Sequence, residues 1–181
     1  GSSDTYRTME RYDASSSGEN SGNWGGWQGI LGNGHNASGV AISGTPGRKN
    51  SFSYFIDPTL SSLNQNKTLT KANSPYIIGS TFWVNADKTL TLEPGTIIKF
   101  YNTNSVLVIN GVLSAVGTDS DPIVFTSIKD DTYGGDTNND GSASSPQAGD
   151  WEFIFLSSGA ATSTFSHTIF RYGGGDGNYF Q

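Results

Sequence analysis

Three short segments in the second half of the chain end alike, and their spacing constrains the fold more than any other feature. The endings "IKF", "IVF" and "TIF" place phenylalanines at Phe100, Phe125 and Phe170. The first interval is 25 residues and the second is 45, but the second becomes 24 if the 21 polar residues 129–149 are an insertion. A repeat of this length is typical of one coil of a β-solenoid, in which inward-facing residues stack on their equivalents in the next coil. An antiparallel sandwich would have similar short strands without the constant spacing.

The composition favours an all-β fold. Apolar residues make up 34% of the 181 residues and charged residues only 14%, so most of the polarity comes from Gly, Ser, Thr and Asn. No long stretch has the i, i+3, i+4 apolar pattern of an amphipathic helix. Short segments rich in β-branched and aromatic residues lie between turn signals instead, as β-strands do. They cover residues 89–100, 105–117, 121–128, 150–158 and 163–174.

Charge and cysteine content exclude several classes of function. The net charge is -6 and the isoelectric point is near 4.6, whereas nucleic acid and anionic lipid both require clustered Lys and Arg. The chain contains no cysteine, so it has neither disulfide bonds nor thiolate chemistry. No segment approaches the roughly 20 apolar residues of a membrane span, and we predict no membrane insertion.

The strand segments resemble a known family of solenoids. The motif "EPGTIIKF" at 93–100 is followed by "GT" at 117–118 and "PIVFTS" at 122–127. Residues 74–174 thereby resemble the N-terminal cap and first rungs of bacterial right-handed parallel β-helix proteins. These belong to the surface and secreted branch of the pectate-lyase-like superfamily. The resemblance implies a right-handed parallel β-helix over residues 74–181 and an extracellular or cell-surface location in bacteria.

The first part of the chain has a different character. Residues 3–52 are rich in Gly and Ser, and they contain "MERYD" at 9–13, "GNWGGW" at 22–27 and "GTPGRKNS" at 44–51. These pieces resemble, in order, the closing part of bacterial lamin-tail domains, which are immunoglobulin-like sandwiches. An irregular Gly-rich leader is the alternative. We interpret residues 53–73, rich in Asn, Gln, Ser and Thr, as a linker to the first coil.

The insertion carries a pattern that is typical of a calcium loop. Asp136, Asn138 and Asp140 alternate along the chain and are followed by Gly141. Alternate side chains of a tight loop converge on one centre, and the glycine permits the turn that lets a backbone carbonyl complete the ligand shell. A hard cation would also offset the repulsion among carboxylates on one short segment.

The pattern departs from an EF-hand. The twelfth position is Gln147 rather than a bidentate glutamate, and no helix flanks the loop. A non-helical calcium loop of extracellular modules is the better analogy, with Asp130, Asp131 or Asp150 as the remaining ligands. A solvated turn is the alternative, because Asp, Asn and Gly are favoured in any turn.

A catalytic role for the same region has less support. Asp130 and Asp131 are adjacent, so their side chains should point to opposite faces of an extended backbone and not converge. The Asn-Thr-Asp, Gly-His-Gly and Arg-Ile-Lys motifs of pectin hydrolases are absent from the sequence. We expect structural roles for His167 and Arg171, a ladder-capping hydrogen bond and an ion pair with a carboxylate, respectively.

These observations favour a non-enzymatic structural or adhesive module of a bacterial surface or secreted protein, such as a stalk, an adhesin or a filament subunit. Calcium would stiffen the insertion. The final rung would present an unpaired edge. Truncation of a longer natural protein is the simplest explanation of that edge, and self-association of chains through it is the alternative. The four tryptophans could contact surface glycans if they are exposed. The alternative is a polysaccharide-active enzyme of the lyase or glycosidase type, or its carbohydrate-binding accessory domain.

Overall fold

The described part of the chain is all-β, with three parallel sheets and one separate antiparallel pair. The computed structural model describes residues 9–11, 17, 19, 21, 24–26, 56 and 61–175. The strands are β1 (Met9–Arg11), β2 (Trp24–Gly26), β3 (Ser62–Leu63), β4 (Lys67–Leu69), β5 (Tyr76–Ile78), β6 (Thr81–Val84), β7 (Thr89–Leu92), β8 (Ile97–Phe100), β9 (Val106–Ile109), β10 (Val112–Val116), β11 (Ile123–Ser127), β12 (Ile154–Leu156), β13 (Thr164–Ser166) and β14 (Thr168–Phe170). Within residues 61–175, short 3-10 helices cover Lys71–Asn73 and Ser158–Ala160.

The chain visits the three sheets in turn, and each circuit forms one rung. Sheet 1 contains β3, β6, β9 and β12, sheet 2 contains β4, β7, β10 and β13, and sheet 3 contains β5, β8, β11 and β14. Every neighbouring pair within these sheets is parallel. The prediction of a parallel β-solenoid is therefore confirmed, with four rungs in the described residues.

In each sheet, one column of inward-facing apolar residues runs through all four rungs. In the first three rungs these side chains are at most 7% exposed, because each is covered by its equivalents above and below. Burial of these stacked side chains is the main source of stability in such a fold. The columns, set by strand register, are Leu63, Val84, Ile109 and Leu156 in sheet 1, Leu69, Leu92, Ala115 and Phe165 in sheet 2, and Tyr76, Ile98, Phe125 and Phe170 in sheet 3.

The register differs from the sequence prediction in one respect. Phe125 is paired with Ile98, and Phe100 is paired with Ser127, so Phe100 and Phe125 belong to different columns. Phe125 does stack on Phe170, with ring centroids 5.2 Å apart. Phe100 instead stacks on Trp151 at 4.0 Å. Rungs vary in length, which allows similar endings to fall two positions out of register.

The first rung begins earlier than the sequence suggested. Strands β3 and β4 lie within residues 53–73, the predicted linker, and pair in parallel with β6 and β7. Ile56 is 1% exposed and belongs to the same apolar core. Two- and three-residue strands are too short to show a period of two, so the Ser- and Asn-rich composition of this segment hid them.

The first part of the chain is described only in fragments. Strands β1 and β2 form an antiparallel pair, with Met9 opposite Gly26. The "GTPGRKNS" motif lies outside the described residues, and the lamin-tail resemblance stays a prediction. Within the described part of the chain, no helix has both the length and the apolar character needed to cross a membrane.

Candidate metal centre

The insertion, residues 129–149, connects the third rung to the fourth and lies against the outward face of sheet 3. A Cβ atom added at Gly134 would lie 3.2 Å from the side chain of Pro75 and 3.4 Å from Cε of Lys99. Gly134 and Gly135 have φ angles of 75° and 70°, a conformation that glycine adopts at little cost. The two glycines thus let the insertion approach the sheet closely.

Beneath the insertion lies a fully buried lysine. Lys99 points outward because its neighbours Ile98 and Phe100 point into the core, yet its exposure is 0%. Its Nζ donates a hydrogen bond to the carbonyl of Gly135 at 2.7 Å. Burial lowers the pKa of Lys99 to about 8, although the Asp131, Asp130 and Asp136 carboxylates oppose the shift.

Three carboxylates of the insertion converge. Asp131, Asp136 and Asp140 each place a carboxylate oxygen within 4.8 Å of the others. Asp136 also accepts hydrogen bonds from the backbone N–H groups of Asp140 and Gly141, both at 3.0 Å, which fixes the turn. Desolvation and the neighbouring Asp136 carboxylate raise the pKa of Asp131, whereas Lys99 opposes that shift.

Two buried oxygens in this loop have no hydrogen-bond partner. Asn138 donates from Nδ2 to Oδ2 of Asp140 at 2.8 Å and to Oγ of Ser144 at 3.1 Å, and Ser144 Oγ donates to Asp140 Oδ2. Oδ1 of Asn138 and Oδ1 of Asp140 accept nothing, although both atoms are buried. Buried polar atoms are nearly always hydrogen-bonded. Carboxylate and amide oxygens are the ligands that calcium takes, so a hard cation fits these donors.

Asp130 and Asp150 lie in separate interactions at the two ends of the insertion. Asp130 is 1% exposed, accepts from Thr126 Oγ1 at 2.6 Å, and lies 3.6 Å from Nη1 of Arg171. Asp150 is 4% exposed and accepts from Lys129 Nζ at 2.7 Å. Burial would raise the pKa of Asp150, but hydrogen bonds from Lys129, Ser127 Oγ and the Gln147 backbone lower it. Both carboxylates anchor the insertion to the solenoid.

The structure therefore divides the six predicted ligands. It brings Asp136, Asn138 and Asp140 together with Asp131, and it places Asp130 and Asp150 in ion pairs instead. Sequence reasoning missed Lys99 as the residue beneath the loop. The alternation in "IIKF" already assigned it to the outward face, but nothing in the sequence indicated that the insertion covers that face.

The side chains considered for catalysis have structural partners. Arg171 donates to the Tyr172 hydroxyl at 2.6 Å, and its guanidinium lies 5.3 Å from the Tyr133 ring centroid, in addition to its contact with Asp130. His167 interacts with Ser166 Oγ at 2.9 Å through Nδ1 and with Asp119 at 3.2 Å through Nε2. Lys129 pairs with Asp150. These groups are thus distributed over several separate interactions.

The tryptophans differ in exposure. Trp151 is 4% exposed and donates from Nε1 to the Arg171 carbonyl at 2.8 Å, so it belongs to the core. Trp24 is half-buried, with the Arg11 guanidinium 5.9 Å from its ring. Trp83 points outward from sheet 1 and is 37% exposed. Trp27 lies outside the described residues.

Comparison with known proteins identifies no relative. The chain matches no protein-family model, no curated protein and no solved structure. The fold and the site therefore define it only as an all-β parallel solenoid with an acidic loop against one sheet.

Proposed function

We propose that this protein is a non-enzymatic structural module of a bacterial surface or secreted protein, and that a bound calcium ion stabilises its insertion. The observation that carries the proposal is the pair of buried, unpartnered oxygens, Asn138 Oδ1 and Asp140 Oδ1, beside the converging carboxylates. An ion held between the acidic loop and the flank of the solenoid would make the module more rigid. This suits a structural role better than a catalytic one.

The charges around the loop support a divalent ion. Four carboxylates lie here, those of Asp130, Asp131, Asp136 and Asp140, and two cations, Lys99 and Arg171, leave a formal charge of -2. One divalent ion would neutralise this remainder. Calcium fits better than magnesium, because an irregular set of carboxylate and amide oxygens suits its flexible coordination, whereas magnesium requires near-octahedral geometry.

A weak site of this kind is suited to an extracellular location. Calcium loops of extracellular modules bind in the range of about 0.1–1 mM, a concentration found outside cells. The resemblance of residues 74–174 to β-helix proteins of the surface and secreted branch supports the same location. We further propose the right-handed sense of that family, which agrees with the strong preference for right-handed connections between parallel strands. An immunoglobulin-like, lamin-tail-like arrangement of residues 3–52 completes the proposal.

The fourth rung supports self-association. Its inward-facing residues Leu156, Phe165 and Phe170 are 45%, 37% and 51% exposed, and its strands have one unpaired edge among the described residues. Such an end favours addition of further β-structure. A second, adhesive role has one favourable observation. Trp83 and Phe155 share an outward column of sheet 1, are 37% and 40% exposed, and could stack on sugar rings.

Thermal unfolding with calcium or with chelator tests the proposal. If the dissociation constant is about 0.1–1 mM, 10 mM calcium stabilises the folded state by about 1.4–2.7 kcal/mol. For a domain of this size the midpoint would rise by roughly 3–10 °C. The variant Asp131→Asn should lose most of this shift, because Asp131 supplies a carboxylate to the cluster but none of the hydrogen bonds that hold the turn.

The matched control is Asp87→Asn, which removes the same charge from an exposed turn between β6 and β7. It should keep the full calcium shift. The absence of any shift in the wild type at 10 mM calcium, about ten times the weakest expected dissociation constant, would refute the calcium proposal. An equal shift in Asp131→Asn would refute the assigned site.

A further inference from the structure

We propose that the open end of the solenoid binds a second copy of this chain, open end to open end, and that the resulting pair does not grow into a filament. The open end is the outer surface of the fourth rung, with Leu156, Phe165 and Phe170 at its centre. The inference rests on the proposed self-association. It adds which ends of the two copies meet and that assembly stops at two copies.

The two ends of the solenoid differ sharply in exposure. The inward residues of the first rung, Leu63, Leu69 and Tyr76, are 1%, 1% and 7% exposed. Their equivalents in the fourth rung are 37–51% exposed, as given above. Apolar side chains of this size are stabilised when another surface removes them from water. The first-rung end of the solenoid is covered in this way, whereas the fourth-rung end is exposed.

The first-rung end of the solenoid is covered in part by Ile56. This residue is 1% exposed, lies in the same core as the first-rung side chains, and accepts a hydrogen bond at its carbonyl from Nζ of Lys67. Lys67 occupies an inward position, opposite Leu90, and its ammonium is therefore engaged in a hydrogen bond at the first-rung end. A second copy stacking head to tail would have to displace these contacts, which disfavours filament growth.

The open end is suited to meet itself. Its three strands, β12, β13 and β14, have three residues each and contain no charged side chain, so two copies do not repel there despite the net charge of -6. A two-fold axis perpendicular to sheet 3 would set β14 antiparallel to its own copy and β12 beside the other copy's β13. All three unpaired edges would then be matched, and an isologous interface of this kind closes at two copies.

Sedimentation velocity of the full chain from about 1 to 100 µM tests the inference. We expect a monomer–dimer equilibrium that saturates at the dimer. Leu156→Lys should raise the dissociation constant more than about tenfold, because a charge would enter an apolar interface. Phe165→Lys, in another sheet, should do the same. Phe155→Lys is the matched control, since Phe155 is adjacent, 40% exposed and outward-facing, and should leave the constant within about twofold.

Each other outcome counts against the pairing. Assemblies that keep growing with concentration would overturn it while leaving self-association intact. Loss of the dimer in Phe155→Lys but not in Leu156→Lys or Phe165→Lys would place the interface on the outward face of sheet 1. A monomer at every concentration would overturn both self-association and pairing, and would leave the calcium proposal to its own test. Circular dichroism of each variant checks that the fold is kept.

Discussion

The buried lysine beneath the insertion leads to an unusual prediction, because its replacement should raise the stability of the fold. Lys99 is 0% exposed, and its ammonium is hydrogen-bonded to the Gly135 carbonyl. Replacing it by methionine, Lys99→Met, removes the charge and the hydrogen bond but keeps an apolar side chain of similar length. Because a buried ammonium is held at a cost, we expect the substitution to stabilise the fold at neutral pH.

The magnitude follows from the pKa. Lowering the pKa of Lys99 from 10.5 to about 8 corresponds to about 3 kcal/mol that the ammonium costs the folded state. This value already includes the attraction of the nearby carboxylates. The lost hydrogen bond to Gly135 offsets about 1 kcal/mol. Lys99→Met should therefore be more stable than the wild type by about 2 kcal/mol at pH 7.

The stability difference between Lys99→Met and the wild type should reverse at high pH. Below pH 8 Lys99 is protonated in both states, and its full cost is present. Between pH 8 and pH 10.5 the folded chain has released a proton that the unfolded chain still holds, so wild-type stability rises relative to the variant. At pH 10.5 and above, with the cost relieved, the wild type should be the more stable by about 1 kcal/mol.

Urea unfolding of both proteins with chelator, at intervals from pH 7 to pH 11, measures this difference. Titration of the other groups is common to both proteins and cancels. A constant offset between Lys99→Met and the wild type over this range would refute the reasoning, because Lys99 would then titrate as a solvated side chain.

Two further predictions concern the solenoid and the anchor of its insertion. Gly111→Ala should destabilise the fold by more than about 3 kcal/mol in urea unfolding, since the new Cβ would lie 2.2 Å from the Lys88 carbonyl oxygen and 2.4 Å from that of Asn85. Gly135→Ala, with no atom within 4 Å, should cost only about 1 kcal/mol for its left-handed backbone, and an equal loss in both would contradict the steric argument. Asp150→Asn should destabilise the chain at pH 7, and its deficit should shrink as the pH falls below 3.8, because the hydrogen bonds that lower the pKa of Asp150 are lost on protonation. A deficit in acid-unfolding curves that does not change with pH would contradict this.

The repeat in the sequence was sufficient to predict the solenoid. Apolar residues at alternate positions of "TLTL" and "IIKF" face the core, as the period of two requires. Removal of residues 129–149 correctly separated the insertion from the third and fourth rungs. The register was less accessible, because "IKF" and "IVF" look alike while Phe125 pairs with Ile98 rather than with Phe100.

The candidate site was predictable only in its local part. The alternation of Asp136, Asn138 and Asp140 is a property of one loop, and these side chains do lie together. The partners of Asp130 and Asp150 depend on contacts with Arg171 and Lys129 that the loop pattern does not encode. Burial of Lys99 by a segment whose contacting residue, Gly135, lies 36 residues further along the chain is a tertiary contact of the same kind.

Direct calcium titration by calorimetry tests the central claim, that the insertion binds a hard cation. We expect one calcium ion per chain, with a dissociation constant of about 0.1–1 mM and weaker binding of magnesium. Asp131→Asn should bind calcium clearly more weakly, and Asp87→Asn should bind it as the wild type does. No binding heat at millimolar calcium, confirmed by equilibrium dialysis, or equal binding by all three proteins, would contradict it.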